Sequence, residues 1–156
     1  MPEVKPVDHD FTLWVLLSQV QTLTLNARET ELMEDGATAM QAAVLFFINS
    51  IGDATTPAEI SRRLVRQPAT ISGLLDRMEK AGLVERVKDM PKRNWVRVKI
   101  TQKGQQIYKQ SLKRKSIHQI MSCLSDEEHK QLTSILVKLR TKASKVLNYK
   151  QKITFP

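Results

Sequence analysis

The amino-acid sequence predicts a mainly α-helical fold carrying one small β-hairpin, with helices on both sides of it. Three observations lead there. Apolar residues recur at helical spacing over most of the chain. The period switches to alternation in only two short runs, Leu83 to Lys88 and Trp95 to Thr101. Two closely spaced helix signals, Thr56-Pro57-Ala58-Glu59 and Ile71 to Gly82, stand just before that switch.

From Asp8 to Glu34, Phe11, Val15, Leu16, Val20, Leu23 and Ala27 form a helical stripe that stops at the Gly36 region. The segment AMQAAVLFFIN is apolar on most sides from Ala42 to Ile48, which predicts a buried helix closed near Gly52. Thr56 as N-cap, Pro57 at the first helical position and Glu59 at the third start a short helix ending near Leu64. After a turn from Val65 to Pro68, Ile71, Leu74, Leu75 and Met78 point inward, leaving Thr70, Ser72, Gly73 and Arg77 outward. In the second β-prone run Val96, Val98 and Ile100 alternate with Arg97 and Lys99, and Asp89 to Asn94 reads as the hairpin tip. Two long amphipathic helices then follow. One carries Ile107, Tyr108, Leu112, Ile117, Ile120, Met121 and Leu124, the other Leu132, Ile135, Leu136, Leu139, Ala143 and Val146, with Ser125 capping the second. The basic end, Tyr149 to Pro156, is expected to fray.

The 156 residues, 41% of them hydrophobic, support one domain over residues 1–156. Net charge is +9 but unevenly spread: −6 over residues 1–55, +7 over 56–104 and +8 over 105–156. Clustered Lys and Arg fit a polyanionic partner or an acidic surface. No apolar run approaches the ~20 residues that span a bilayer, and the first residues lack a leader pattern, so a cytoplasmic protein without membrane contact is expected. The single cysteine, Cys123, cannot form an internal disulfide, and its apolar helical setting predicts burial.

Helix, tight turn, helix and two-stranded wing, in that order, is a known way to set one helix in the major groove of duplex DNA with a hairpin beside it. This predicts a winged helix-turn-helix DNA-binding lobe over residues 37–104, flanked by dimerisation helices over 8–35 and 102–148. On the outward face of the second helix, Thr70 and Ser72 offer hydroxyls to base edges or phosphate, Gly73 permits close approach, and Arg77 suits phosphate. At the tip, Lys92 and Arg93 are cations held out toward a minor groove, with Asp89 bracing the tip through a nearby arginine.

The run Pro68-Ala69-Thr70-Ile71-Ser72, leading into Leu75-Asp76-Arg77-Met78-Glu79-Lys80-Ala81-Gly82-Leu83-Val84-Glu85-Arg86, resembles the MarR family of bacterial and archaeal regulators. Asp89, Lys92, Arg93, Ile100, Thr101 and Gly104 look like counterparts of that family's wing. Pro91 and Gly73 depart from it, standing where many members carry a basic and a larger polar or basic residue. The resemblance implies a homodimer with intertwined terminal helices that grips a palindromic double-stranded operator, Pro68 and Ala69 joining the DNA-binding set, with repression the commoner outcome.

The resemblance also implies a small aromatic effector, for which Trp14, Met40, Phe46 and Phe47 are the candidate lining, set against their reading as plain core. His118 is the only cation assured near Cys123, which favours a structural thiol over a peroxide sensor. His9, His118 and His129 lack the spacing of a zinc site, and neither metal nor cofactor is expected. An enzyme is not expected either, for there is no phosphate-binding glycine loop, nucleophile elbow or paired carboxylates. Two alternatives stand beside the regulator: a winged-helix adaptor for another protein, which needs none of the wing cations, and a non-specific nucleic-acid-binding protein.

Overall fold

The computed structural model describes residues 8–89, 91–92 and 95–153. Helix α1 spans His9–Met33, α2 Ala39–Ile51, α3 Pro57–Leu64 and α4 Pro68–Lys80. Strands β1, Val84–Val87, and β2, Arg97–Ile100, form an antiparallel pair, and α5 Gln102–Ser111, α6 Lys115–Met121 and α7 Asp126–Val146 complete the chain.

Local chemistry sets most boundaries. Asp8 Oδ1 accepts from Phe11 N–H at 2.9 Å, and Thr38 with Gln41, and Ser125 with Glu128, form reciprocal capping boxes that start α2 and α7. Gly82, at φ 72°, ends α4 in a left-handed turn whose next residue, Leu83, donates to the Met78 carbonyl at 2.9 Å. Pro68 opens α4 instead of closing the preceding turn, since its missing N–H is an orphan position at a helix start anyway.

The main buried cluster draws on α2, α3, α4 and the two strands. Val44, Leu45 and Ile48 of α2 meet Ile60 of α3, Ile71, Leu74, Leu75 and Met78 of α4, Leu83, Val84 and Val98, with Ile107 and Tyr108 of α5 against them. In the strand register Val84 faces Ile100 and Arg86 faces Val98. Val98 N–H donates to the Thr55 carbonyl at 2.9 Å, tying the wing to the loop before α3. Helix α5 can approach β1 because residue 104 is glycine: a Cβ there would stand 2.0 Å from the Leu83 carbonyl oxygen.

Outside the lobe the helix boundaries depart from expectation after Ser111. The apolar stripe from Ile107 to Leu124 is not one helix: Arg114 adopts φ 49° and separates α5 from α6. Two side chains of α1 stabilise the break. Arg28 Nη2 donates to the Ser111 carbonyl at 2.5 Å, capping the end of α5, while the Glu31 carboxylate accepts from Lys115 N–H at 2.8 Å, Ser116 N–H at 3.1 Å and the Ser116 hydroxyl. An Arg28 to Glu31 contact of 2.9 Å joins the two caps. Partial burial alone would raise the Glu31 pKa, but the bonds from Ser116, Arg28 and the Lys115 and Ser116 amides outweigh it and lower it from 4.5 to about 2.

The terminal helices leave their apolar faces uncovered. Of α1 only Leu32 is buried, α6 and α7 bury nothing, and Phe11 and Trp14 are 59% and 61% exposed. Cys123 is exposed, not buried as its setting predicted, because no element of the same chain covers the end of α6.

Candidate nucleic-acid interface

Helix α4 has two faces. Ile71, Leu74, Leu75 and Met78 anchor it in the core, which turns Pro68, Ala69, Thr70, Ser72, Asp76 and Arg77 to solvent, with Gly73 half-buried between them. Burial of those four side chains, each worth about 1.5–3 kcal/mol, fixes the rotation of the helix and so chooses the exposed set. The Arg77 guanidinium lies back over Gly73, 3.8 Å from where a Cβ would stand, so the missing side chain gives Arg77 its resting place. Among the described residues Arg77 forms no ion pair, and its charge stays available to an outside anion.

Two arginines set the geometry of this surface. Arg86 of β1 reaches across to α4, donating to Asp76 at 2.7 Å, to Glu79 at 3.0 Å and to the Ser72 carbonyl at 3.2 Å. It registers the helix against the wing. Arg97 of β2 donates to both oxygens of Asp89 and, at 3.3 Å, to Asp53 in the loop after α2. The hydrogen bond from Arg97 is the main cause holding the Asp89 carboxyl below the usual range, and the brace predicted for Asp89 is present. Asp89 therefore shapes the wing, and its pairing with Arg97 offsets a negative charge that would repel a phosphate.

Sequence reading did not pick out Arg86 or Arg97 as positioning residues, because arginine in a short strand reads as solvent-facing and its acidic partners lie 7 to 44 residues away in the chain. Nor does every cation of residues 56–104 face outward. Arg62 and Arg63 both pair with Glu59, and the Lys103 ammonium caps α4 at the Ala81 carbonyl, 2.8 Å away. The hydrogen bond from Arg62 is the largest influence lowering the Glu59 pKa. At the wing, exposed Lys92 sits over the face of Trp95 with its ammonium 4.7 Å from the ring centre. Arg93 lies outside the described residues, as do Met90 and Asn94 of the tip.

The four residues suggested for an effector pocket do not converge. Trp14 stacks on Phe11 at 5.7 Å on the exposed face of α1, Met40 packs against the lobe core, and Phe47 is buried with Arg63 over its ring. Trp14 lines an open groove along α1, whereas Phe46 lines a separate cavity of about 210 Å³ between α1, α2, α5 and α6, together with Arg28, Ala39, Ala42, Ala43 and Arg114. The Arg114 guanidinium lies 5.5 Å from the Phe46 ring centre. The mismatch arises because helical stripes show which residues avoid water but not which element covers them. Among the described residues no three His, Cys, Asp or Glu side chains are placed to hold a metal ion, and no helix is long and apolar enough to cross a membrane.

A helix presented outward by its core, braced against a cationic two-stranded wing, defines a winged helix-turn-helix protein of the DNA-binding transcription-regulator class. Comparison with known proteins narrows the class. The model of the MarR family matches residues 35–97. An HTH-type transcriptional regulator of Bacillus subtilis, YsmB, is 27% identical over 138 residues, 87% of this chain and 94% of that protein. The organohalide-sensing transcriptional regulator RdhR-CbdbA1625, solved with 2,4-dichlorophenol bound, superposes with a TM-score of 0.86 at 27% identity, over 100% of this chain and 98% of its own. A mutant MarR from E. coli complexed with operator DNA gives 0.77 at 25% identity, over 82% and 93% of the two chains. Over the lobe that carries α3, α4 and the wing, the chain is similar to the MarR family.

Proposed function

We propose that the protein acts in the cytoplasm as a homodimer that represses transcription by covering a palindromic operator, and that a small aromatic ligand releases it. One observation carries the reading: Thr70, Ser72, Gly73 and Arg77 share the exposed face of α4 beside a wing whose angle Arg97 fixes. Short hydroxyls suit base edges and the guanidinium suits phosphate, so recognition and affinity divide between neighbouring residues of one helix. Dimerisation is supported by the uncovered apolar residues of α1, α6 and α7, among them Leu16, Val20, Leu23, Ile135, Leu136 and Leu139, too continuous for the surface of a lone soluble chain. Release is supported by the cavity beside Phe46, which touches the Arg28 and Ser111 groups joining α1 to α5, so a ligand there bears on the joint between the terminal helices and the lobe.

The test is selection of bound duplexes from a random pool by the purified protein, followed by Ser72→Ala and Arg77→Ala on the winning sequence. Ser72→Ala is expected to relax base preference, and Arg77→Ala to weaken binding to all sequences with a shallower salt dependence. Unenriched, salt-sensitive binding would replace this reading with non-specific packaging, and no binding at all with a protein adaptor.

A further inference from the structure

We propose that the C-terminal tail, residues 148–153, is a second DNA-contacting element, with Lys150 and Lys152 neutralising phosphates that flank the half-site met by α4. The inference rests on the DNA-binding reading above and extends the contact surface beyond helix and wing.

The tail expected to fray begins with an ordered turn. Asn148 takes φ 53°, Asn148 N–H donates to the Lys145 carbonyl at 3.1 Å and Tyr149 N–H to the Ser144 carbonyl at 2.8 Å, so the chain leaves α7 through a hydrogen-bonded left-handed turn. That turn directs Gln151 into a groove of about 590 Å³ whose other walls are the first turn of α3, from Thr56 to Glu59 with Arg62, and Trp95 and Val96 of the wing. Trp95 is the ring on which Lys92 rests, so the tail lies beside the wing cation. Lys150 and Lys152 flank Gln151 and both are exposed. Their charge has no local counterion in the sequence: from His129 to Pro156 there are seven Lys and Arg and no Asp or Glu. A cationic strand held along a wing and the start of a helix-turn-helix continues the surface that a phosphate backbone follows past the recognition helix.

The experiment compares the full-length protein with Lys150→Gln/Lys152→Gln, and with Lys113→Gln/Lys130→Gln as a control on exposed lysines away from the tail. Binding to the selected operator is followed by fluorescence anisotropy over a salt series, on a duplex with flanks and on one trimmed to the half-sites. The tail variant is expected to bind at least ~10-fold more weakly at 0.1 M salt, with the slope of log K against log salt shallower by ~0.9 for each lysine that meets a phosphate. Trimming the flanks is expected to weaken the wild type and leave the tail variant unchanged. A tail variant matching the wild type in slope and affinity would overturn the proposal, as would an equal loss in the control. If the wild type prefers no sequence, the regulator reading fails, while the tail is still judged by the difference in salt slope.

Discussion

Replacing Glu31 by glutamine removes the charge that caps α6 while keeping the side chain's length and one carbonyl acceptor. In the native chain that carboxylate receives three hydrogen bonds from Lys115 and Ser116 and contacts Arg28, and its side chain is only 16% exposed. Lowering its pKa from 4.5 to about 2 corresponds to roughly 3 kcal/mol of native-state stabilisation at neutral pH. Because the folded value is the depressed one, the contribution is complete above about pH 4.5 and is lost as pH falls toward 2. Glutamine retains part of the hydrogen bonding, so Glu31→Gln is expected to destabilise by about 1.5–3 kcal/mol at pH 7 and by much less near pH 2.5. Urea unfolding over a range of protein concentrations, repeated at pH 7, 4 and 2.5, separates the change in folding stability from any change in association. A loss below about 0.5 kcal/mol at pH 7, or one that does not shrink on acidification, would refute the reasoning that this charge holds the α5–α6 break.

Gly104→Ala places a methyl 2.0 Å from the Leu83 carbonyl oxygen, so α5 must move off the sheet; a loss of about 2 kcal/mol or more in denaturant unfolding is expected, with operator affinity falling alongside. Val65, exposed and at φ 51°, pays for a left-handed backbone that β-branched residues resist. Val65→Asn is expected to stabilise by about 1 kcal/mol and raise the melting temperature, since asparagine tolerates that conformation. Arg97→Ala frees the wing from Asp89 and Asp53; selection from a random pool should return the wild-type consensus, while affinity for every duplex drops several-fold.

Most of the fold was legible because its signals are local. Thr56-Pro57-Ala58-Glu59 needs nothing beyond its own turn to start α3, and the inward set of α4 follows from spacing alone. The solvent-facing residues of α4 were legible for the same reason, since a helix with four anchored core residues has only one face left. What escaped was decided at a distance. The apolar period runs unbroken past Leu112, and the groups that stabilise the interruption include Arg28 and Glu31, over 80 residues earlier. Lys103 looks like surface charge until the end of α4 is found beneath it. Trp14 and Phe46 look alike in a helical stripe, yet one faces the outside of α1 and the other a cavity.

The central claim is that two copies of this chain set their α4 helices in successive major grooves of one duplex. Hydroxyl-radical footprinting of the full-length protein on its selected duplex tests it most directly. Two protected patches related by a dyad, with centres about 10 base pairs apart, are predicted. A single patch, or protection with no fixed register along the duplex, would contradict it.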